Sequence, residues 1–124
     1  MRRLPALVLL ASVAGCSLAG DDHDDYLADR ARLVAELDRR IGPATADEPG
    51  ACRVVAFGSK ACGGPAGYRV YSASLNERAV LETAAEIAAL DEDANRRLGL
   101  ISDCSLQEPP RPALVGGRCV AAPE

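Results

Sequence analysis

The chain has 124 residues, room for one domain. Charged residues make up 26% and apolar residues 48%, a balance that argues against disorder over most of the length. Aromatic residues are 3%, so the core has to come from Ala, Val, Leu and Ile, and a formal charge of -4 argues against non-specific nucleic-acid binding and attraction to anionic lipid.

Met1-Arg2-Arg3 is a short positive start, and Leu4 to Ala14 is an apolar run interrupted only by Pro5 and Ser12. As a helix the run spans about 16 Å, half of a hydrocarbon core of about 30 Å. It is too short to cross a membrane and suits the apolar region of a secretory leader. Val13-Ala14-Gly15-Cys16 closes it. That tetrapeptide resembles the lipobox of bacterial lipoproteins. The resemblance implies cleavage before Cys16 and acylation of the Cys16 thiol and amine, and it covers about the first twenty residues. Two or more acyl chains hold a protein stably on a bilayer where one does not. Ser17 follows; by the same resemblance it permits sorting to the outer membrane, where the body faces the periplasm. Loss of Arg2 and Arg3 with the leader makes the formal charge two units more negative.

The organisation read from the sequence is therefore leader 1–15, lipidated tether 16–24 and a single α+β domain 25–124. Asp21, Asp22, His23, Asp24 and Asp25 read as a solvated acidic spacer beside a helix start, not as a metal site, because consecutive side chains diverge. A helix is expected from about Asp25 to Ile41, with Tyr26, Arg30, Leu33, Leu37 and Ile41 at three- and four-residue steps. Arg39 and Arg40 suit its last turn, and Gly42-Pro43 stops it.

Cys52 to Phe57 and Tyr68 to Ser72 read as strands, separated by a glycine-rich loop that includes Gly58, Lys60, Gly63, Gly64 and Pro65. A long helix is expected from Leu75 to Leu98, started by a Ser74-x-x-Glu77 capping box and stopped at Gly99. Val80, Ala84, Ile87, Ala94 and Leu98 form its apolar stripe, broken by Asp91. Two further strands, Leu100 to Leu106 and Gly117 to Ala121, are expected around the proline-rich Glu108 to Pro112. The resulting architecture is a small antiparallel sheet with two helices on one face, stapled by disulfides.

With Cys16 assigned to lipid, Cys52, Cys62, Cys104 and Cys119 form an even set in an exported domain, which suggests two disulfides. Three pairings are open to the sequence. The local one, Cys52–Cys62 with Cys104–Cys119, is the expectation; its second bond closes a loop worth about 3 kcal/mol on the chain-entropy model. The set lacks Cys-x-x-Cys, and the lone His lies in the tether, so redox-active or zinc roles are not expected.

The body also resembles a group of small bacterial lipoproteins through Cys52, Phe57-Gly58, Lys60, Cys62-Gly63-Gly64-Pro65, Tyr71-Ser72, Asp103-Cys104 and Gly117-x-Cys119. That resemblance spans most of the mature chain and implies no activity. The loop is not a phosphate loop, because no glycine pair is followed by Lys-Ser or Lys-Thr at the required spacing. Asp91 and Asp103 are the acids to consider for acid–base work; a helix-face acid and a turn acid explain them more simply. No enzyme, metal or cofactor is expected. The chain reads as a membrane-anchored envelope protein with a structural or accessory docking role, its partners the bilayer and another envelope protein. The alternative is a binding or protease-inhibitor-like module that presents the Gly58–Pro65 loop, with Lys60 as bait.

Overall fold

The computed structural model describes residues 19–123. The leader, Cys16 and Ser17 lie outside the described residues.

Helix α1 runs Ala19–Ile41, with Asp21 and Asp22 in its first turn and Arg39 and Arg40 in its last. It therefore takes in residues 19–24, which the sequence placed in the tether. Acids in a first turn complement the positive end of the helix dipole, and nothing between Gly20 and Asp25 breaks a helix. Leu37 is fully buried, and Leu33, Val34 and Ile41 pack beside it.

After a 3-10 turn at Pro49–Ala51, strand β1 (Cys52–Phe57) pairs antiparallel with β2 (Gly67–Ser72), Cys52 opposite Ser72 and Phe57 opposite Gly67. Helix α2 (Glu77–Leu98) buries Val80, Thr83, Ala84, Ile87, Asp91 and Ala94. Its start differs from the expected capping box. Asn76 stands at the N-cap in the left-handed region with no side-chain cap, and Glu77 is drawn to the β hairpin. The Glu77 carboxylate accepts from Tyr71 Oη at 2.9 Å and Arg53 Nη1 at 2.7 Å. Gly99, at φ +60, ends α2 as expected.

Strands β3 (Pro112–Val115) and β4 (Arg118–Ala121) form a second antiparallel hairpin. The expected single sheet is thus two two-stranded sheets, and the α+β architecture with two helices and two disulfides stands. Leu100 to Leu106 forms no strand: Cys104 takes φ +54, which an extended strand does not allow, and Asp103 turns back on Ser105. Segment 99–111 is an irregular strap.

The main core is Leu37, Val55, Phe57, Tyr71, Val80, Ala84 and Ile87. A second cluster, Ala44, Ala46, Cys52 and Cys119, joins the end of α1 to β1 and β4. There the Ala46 amide donates to Gly117 O at 3.0 Å, and the Cys119 amide to Ala44 O at 2.9 Å.

The disulfides are Cys52–Cys119 and Cys62–Cys104, with Cα atoms 5.2 and 5.3 Å apart. The local pairing expected from the sequence is overturned. Cys52 opens β1 and Cys62 lies beyond its far end, so the strand itself carries the two thiols apart.

Candidate functional site: a braced loop and its strap

The site starts from one buried charge. Asp91 is 2% exposed, on the face of α2 that meets α1. Its Oδ1 accepts from Tyr26 Oη at 3.0 Å and Arg30 Nε at 2.8 Å. Its Oδ2 accepts from Arg30 Nη2 at 3.2 Å and the Ser59 amide at 2.9 Å. Each carboxylate oxygen thus meets two donors, which a buried carboxylate requires. The hydrogen bond to Asp91 leads in raising the Arg30 pKa, while burial, followed by the same carboxylate, raises that of the Tyr26 phenol.

The loop is seated on that charge. A Cβ on Gly58 would lie 2.7 Å from Asp91 Oδ2 and 2.7 Å from the Ala66 methyl, and its φ is +73. Only glycine lets the backbone come so close. Asn95, one turn along α2, donates from Nδ2 to Ser59 O at 3.0 Å. The Ala66 amide donates to Phe57 O at 3.0 Å and closes the loop's neck. Beyond it, Gly63 and Gly64 take φ +97 and +80 to turn the tip, and Ala61, Cys62, Gly63 and Gly64 are exposed. Pro65 is half-buried on the return.

The tip is held from the other side by the strap. Cys62 is bonded to Cys104, and its amide donates to Ser102 Oγ at 3.1 Å. Lys60 Nζ donates to Asp103 Oδ1 at 2.5 Å, to Ser105 O at 2.7 Å and to Ser105 Oγ at 2.9 Å. The Lys60 side chain is 12% exposed. Its ammonium and the Ser105 amide and hydroxyl hold the Asp103 carboxyl at about 2, below its ordinary value of 3.8.

The structure therefore brings together Lys60, Cys62, Gly63, Gly64, Pro65 and Cys104, and it separates them from Cys52 and Cys119. Lys60 serves as an internal staple; its three donor bonds point at the strap. Tyr26, Arg30, Asn95, Ser102 and Ser105 were not singled out as site residues in the sequence. The signal for two of them was present: Arg30 and Asp91 are charges of opposite sign set in apolar helical stripes. Ser102 and Ser105 carried no such signal.

The two acids considered for catalysis are both committed to protein donors, Asp91 inside the fold and Asp103 on the strap. Among the described residues no group of three or more His, Cys, Asp or Glu could hold a metal, and no helix there is long and apolar enough to cross a membrane. No protein-family model, curated protein or solved structure matches the chain.

Proposed function

We propose that the chain is the precursor of a lipid-anchored envelope protein with a structural or accessory docking role. Residues 1–15 are removed on export, Cys16 carries the acyl chains, and the body stands outside the cytoplasm, on the outer membrane by the reading of Ser17. One observation carries this. The four cysteines of the body are used up among themselves in two disulfides, which leaves the thiol of Val13-Ala14-Gly15-Cys16 for lipid. Disulfides also belong to oxidising compartments.

The geometry of Lys60 favours docking over protease inhibition. A bait lysine has to stand free for a protease pocket, and this one is tied to Asp103 and Ser105. The surface offered to another envelope protein is the exposed tip Ala61–Gly64 with the strap beside it, where Ile101 is 96% and Leu106 is 92% exposed. Bracing by Asp91 and by Cys62–Cys104 lowers the entropy cost of ordering such a surface on binding.

The test is fractionation and intact mass of wild type against Cys16→Ser. Wild type is expected in the membrane fraction, without its leader and with the added mass of acyl chains on Cys16. Cys16→Ser is expected to lose the acyl mass and accumulate uncut. A Cys16→Ser protein still membrane-bound and cut at the same point would overturn the reading. An envelope pull-down with wild type against Ile101→Asp/Leu106→Asp then asks whether the strap is the docking face. Equal recovery of the same partner by both would remove the strap from that role.

A further inference from the structure

The two disulfides differ in the feature that governs attack on them. Cys52 and Cys119 are each 6% exposed, packed against Ala44 and Ala46. Cys62 and Cys104 are both exposed, one at the loop tip and the other on the strap. Exchange requires a thiolate to reach a disulfide sulfur, so access separates the two bonds.

We propose that Cys62–Cys104 is a thiol–disulfide exchange site, a reversible clasp whose co-reactant is a dithiol, and that its reduction releases strap 99–111 from the loop. In the first step a dithiol thiolate attacks one of the two sulfurs. The Cys62–Cys104 bond breaks, and the departing cysteine leaves as a thiolate and takes a proton from water. In the second step the remaining thiol of the reagent, deprotonated, displaces the mixed disulfide. The dithiol ends as a disulfide, two electrons and two protons poorer, and Cys62 and Cys104 end as thiols.

Two observations say that the strap leaves once the bond is cut. First, its other ties to the loop are polar contacts of Lys60 with Asp103 and Ser105 and of the Cys62 amide with Ser102. Lys60 is 12% exposed, but its three bonds end on Asp103 and Ser105, which are exposed, and a pair with one solvated partner holds less than a buried one. No strand ladder adds to them over 99–111, and Ile101 and Leu106 face solvent. Second, Cys104 is held at φ +54, a region costly for a residue with a Cβ, and opening relieves it. The loop's base stays in place, because Ser59 is fixed to Asp91 and Asn95 on α2. The clasp therefore opens the strap and spares the fold.

The inference rests on the exported, oxidised state argued above, and its test is independent of Cys16. Lys60 is the only lysine in the chain, so a lysine-specific endoprotease has one possible cut. Protein expressed from the full sequence and purified in detergent is titrated with dithiothreitol, alkylated and mapped peptide by peptide. Cys62 and Cys104 are expected to be alkylated about tenfold faster or more than Cys52 and Cys119, and cleavage after Lys60 to rise with them. Cys62→Ser/Cys104→Ser is expected to be cut after Lys60 without reductant while keeping its helical circular dichroism. Equal labelling of all four cysteines, or a Lys60 bond that stays resistant in both the reduced protein and the double variant, would overturn the proposal. A free Cys16 thiol on an uncut leader in the same maps would instead sink the lipoprotein reading and leave the clasp standing.

Discussion

Asp91 shows how one side chain sets a loop. It is the single acid in the buried stripe of α2, and it is matched by Arg30 from α1 and capped by the Ser59 amide. Removing one member of a buried pair strands the other, whereas replacing both by apolar groups of similar size is close to neutral. Asp91→Asn is therefore expected to cost about 3 kcal/mol in urea unfolding, and Asp91→Leu with Arg30→Met to recover part of that, because the Tyr26 hydroxyl and the Ser59 amide still lose their acceptor. A double variant that loses the sum of the two single variants would show that Asp91 and Arg30 act independently and that no stranded charge is behind the loss. Asp103 makes a second prediction. Its pKa in the fold is about 2, below the ordinary 3.8. A carboxyl lowered on folding stabilises the fold above its unfolded value and loses that contribution as pH falls through the folded one. The strap contact is thus intact above about pH 4 and lost toward pH 2. In an NMR titration the Asp103 carboxyl should show its midpoint near the lower value, and Lys60→Ala should move that midpoint up. An unchanged midpoint in Lys60→Ala would remove the ammonium as the main cause.

At the scale of elements, the two helices and the β1–β2 hairpin share the hydrophobic core. Ile87 is 0% exposed, between Leu37 of α1 and the β1–β2 hairpin. Ile87→Ala is expected to cost about 3 kcal/mol, from lost transfer energy and the cavity left behind, while the exposed Leu81→Ala costs less than about 0.5 kcal/mol. Thermal or denaturant unfolding of the two variants checks the contrast. Both helices were legible because their apolar residues repeat at helical spacing and Gly42 and Gly99 mark their ends. Their starts were less so. Nothing in local sequence says that Glu77 prefers Tyr71 and Arg53 to the helix backbone, because those partners arrive with β1 and β2. The strand expected at Leu100 to Leu106 failed for a similar reason. Its conformation is set by Lys60 and Cys62, about forty residues upstream.

Across the whole molecule, the two disulfides divide the work. Cys52–Cys119 spans 67 residues and Cys62–Cys104 spans 42, so the chain-entropy contribution is about 4 kcal/mol for each. Burial is what distinguishes them. Cys52→Ala/Cys119→Ala also opens a gap in the cluster with Ala44 and Ala46, and it is expected to lower the melting temperature more than Cys62→Ala/Cys104→Ala. A larger drop for the exposed pair would mean that the strap, not the second cluster, is the weak point of the fold. With alanines in place of larger residues across this cluster, the fold has little packing to spare.

What the amino-acid sequence determined by itself was local pattern wherever no distant partner overrode it. Helical spacing, strand alternation and the glycine-rich turn are each written within a few residues, and the cysteine parity is a count along the chain. Only the tertiary structure decided which cysteines meet, that Asp91 seats the loop, and that Lys60 is spent on the strap. Those are contacts between residues 32 to 67 positions apart. Periodicity fixes which face of an element is apolar, but it carries no information on which other element comes to cover it. That choice is made by the packing of all of them at once.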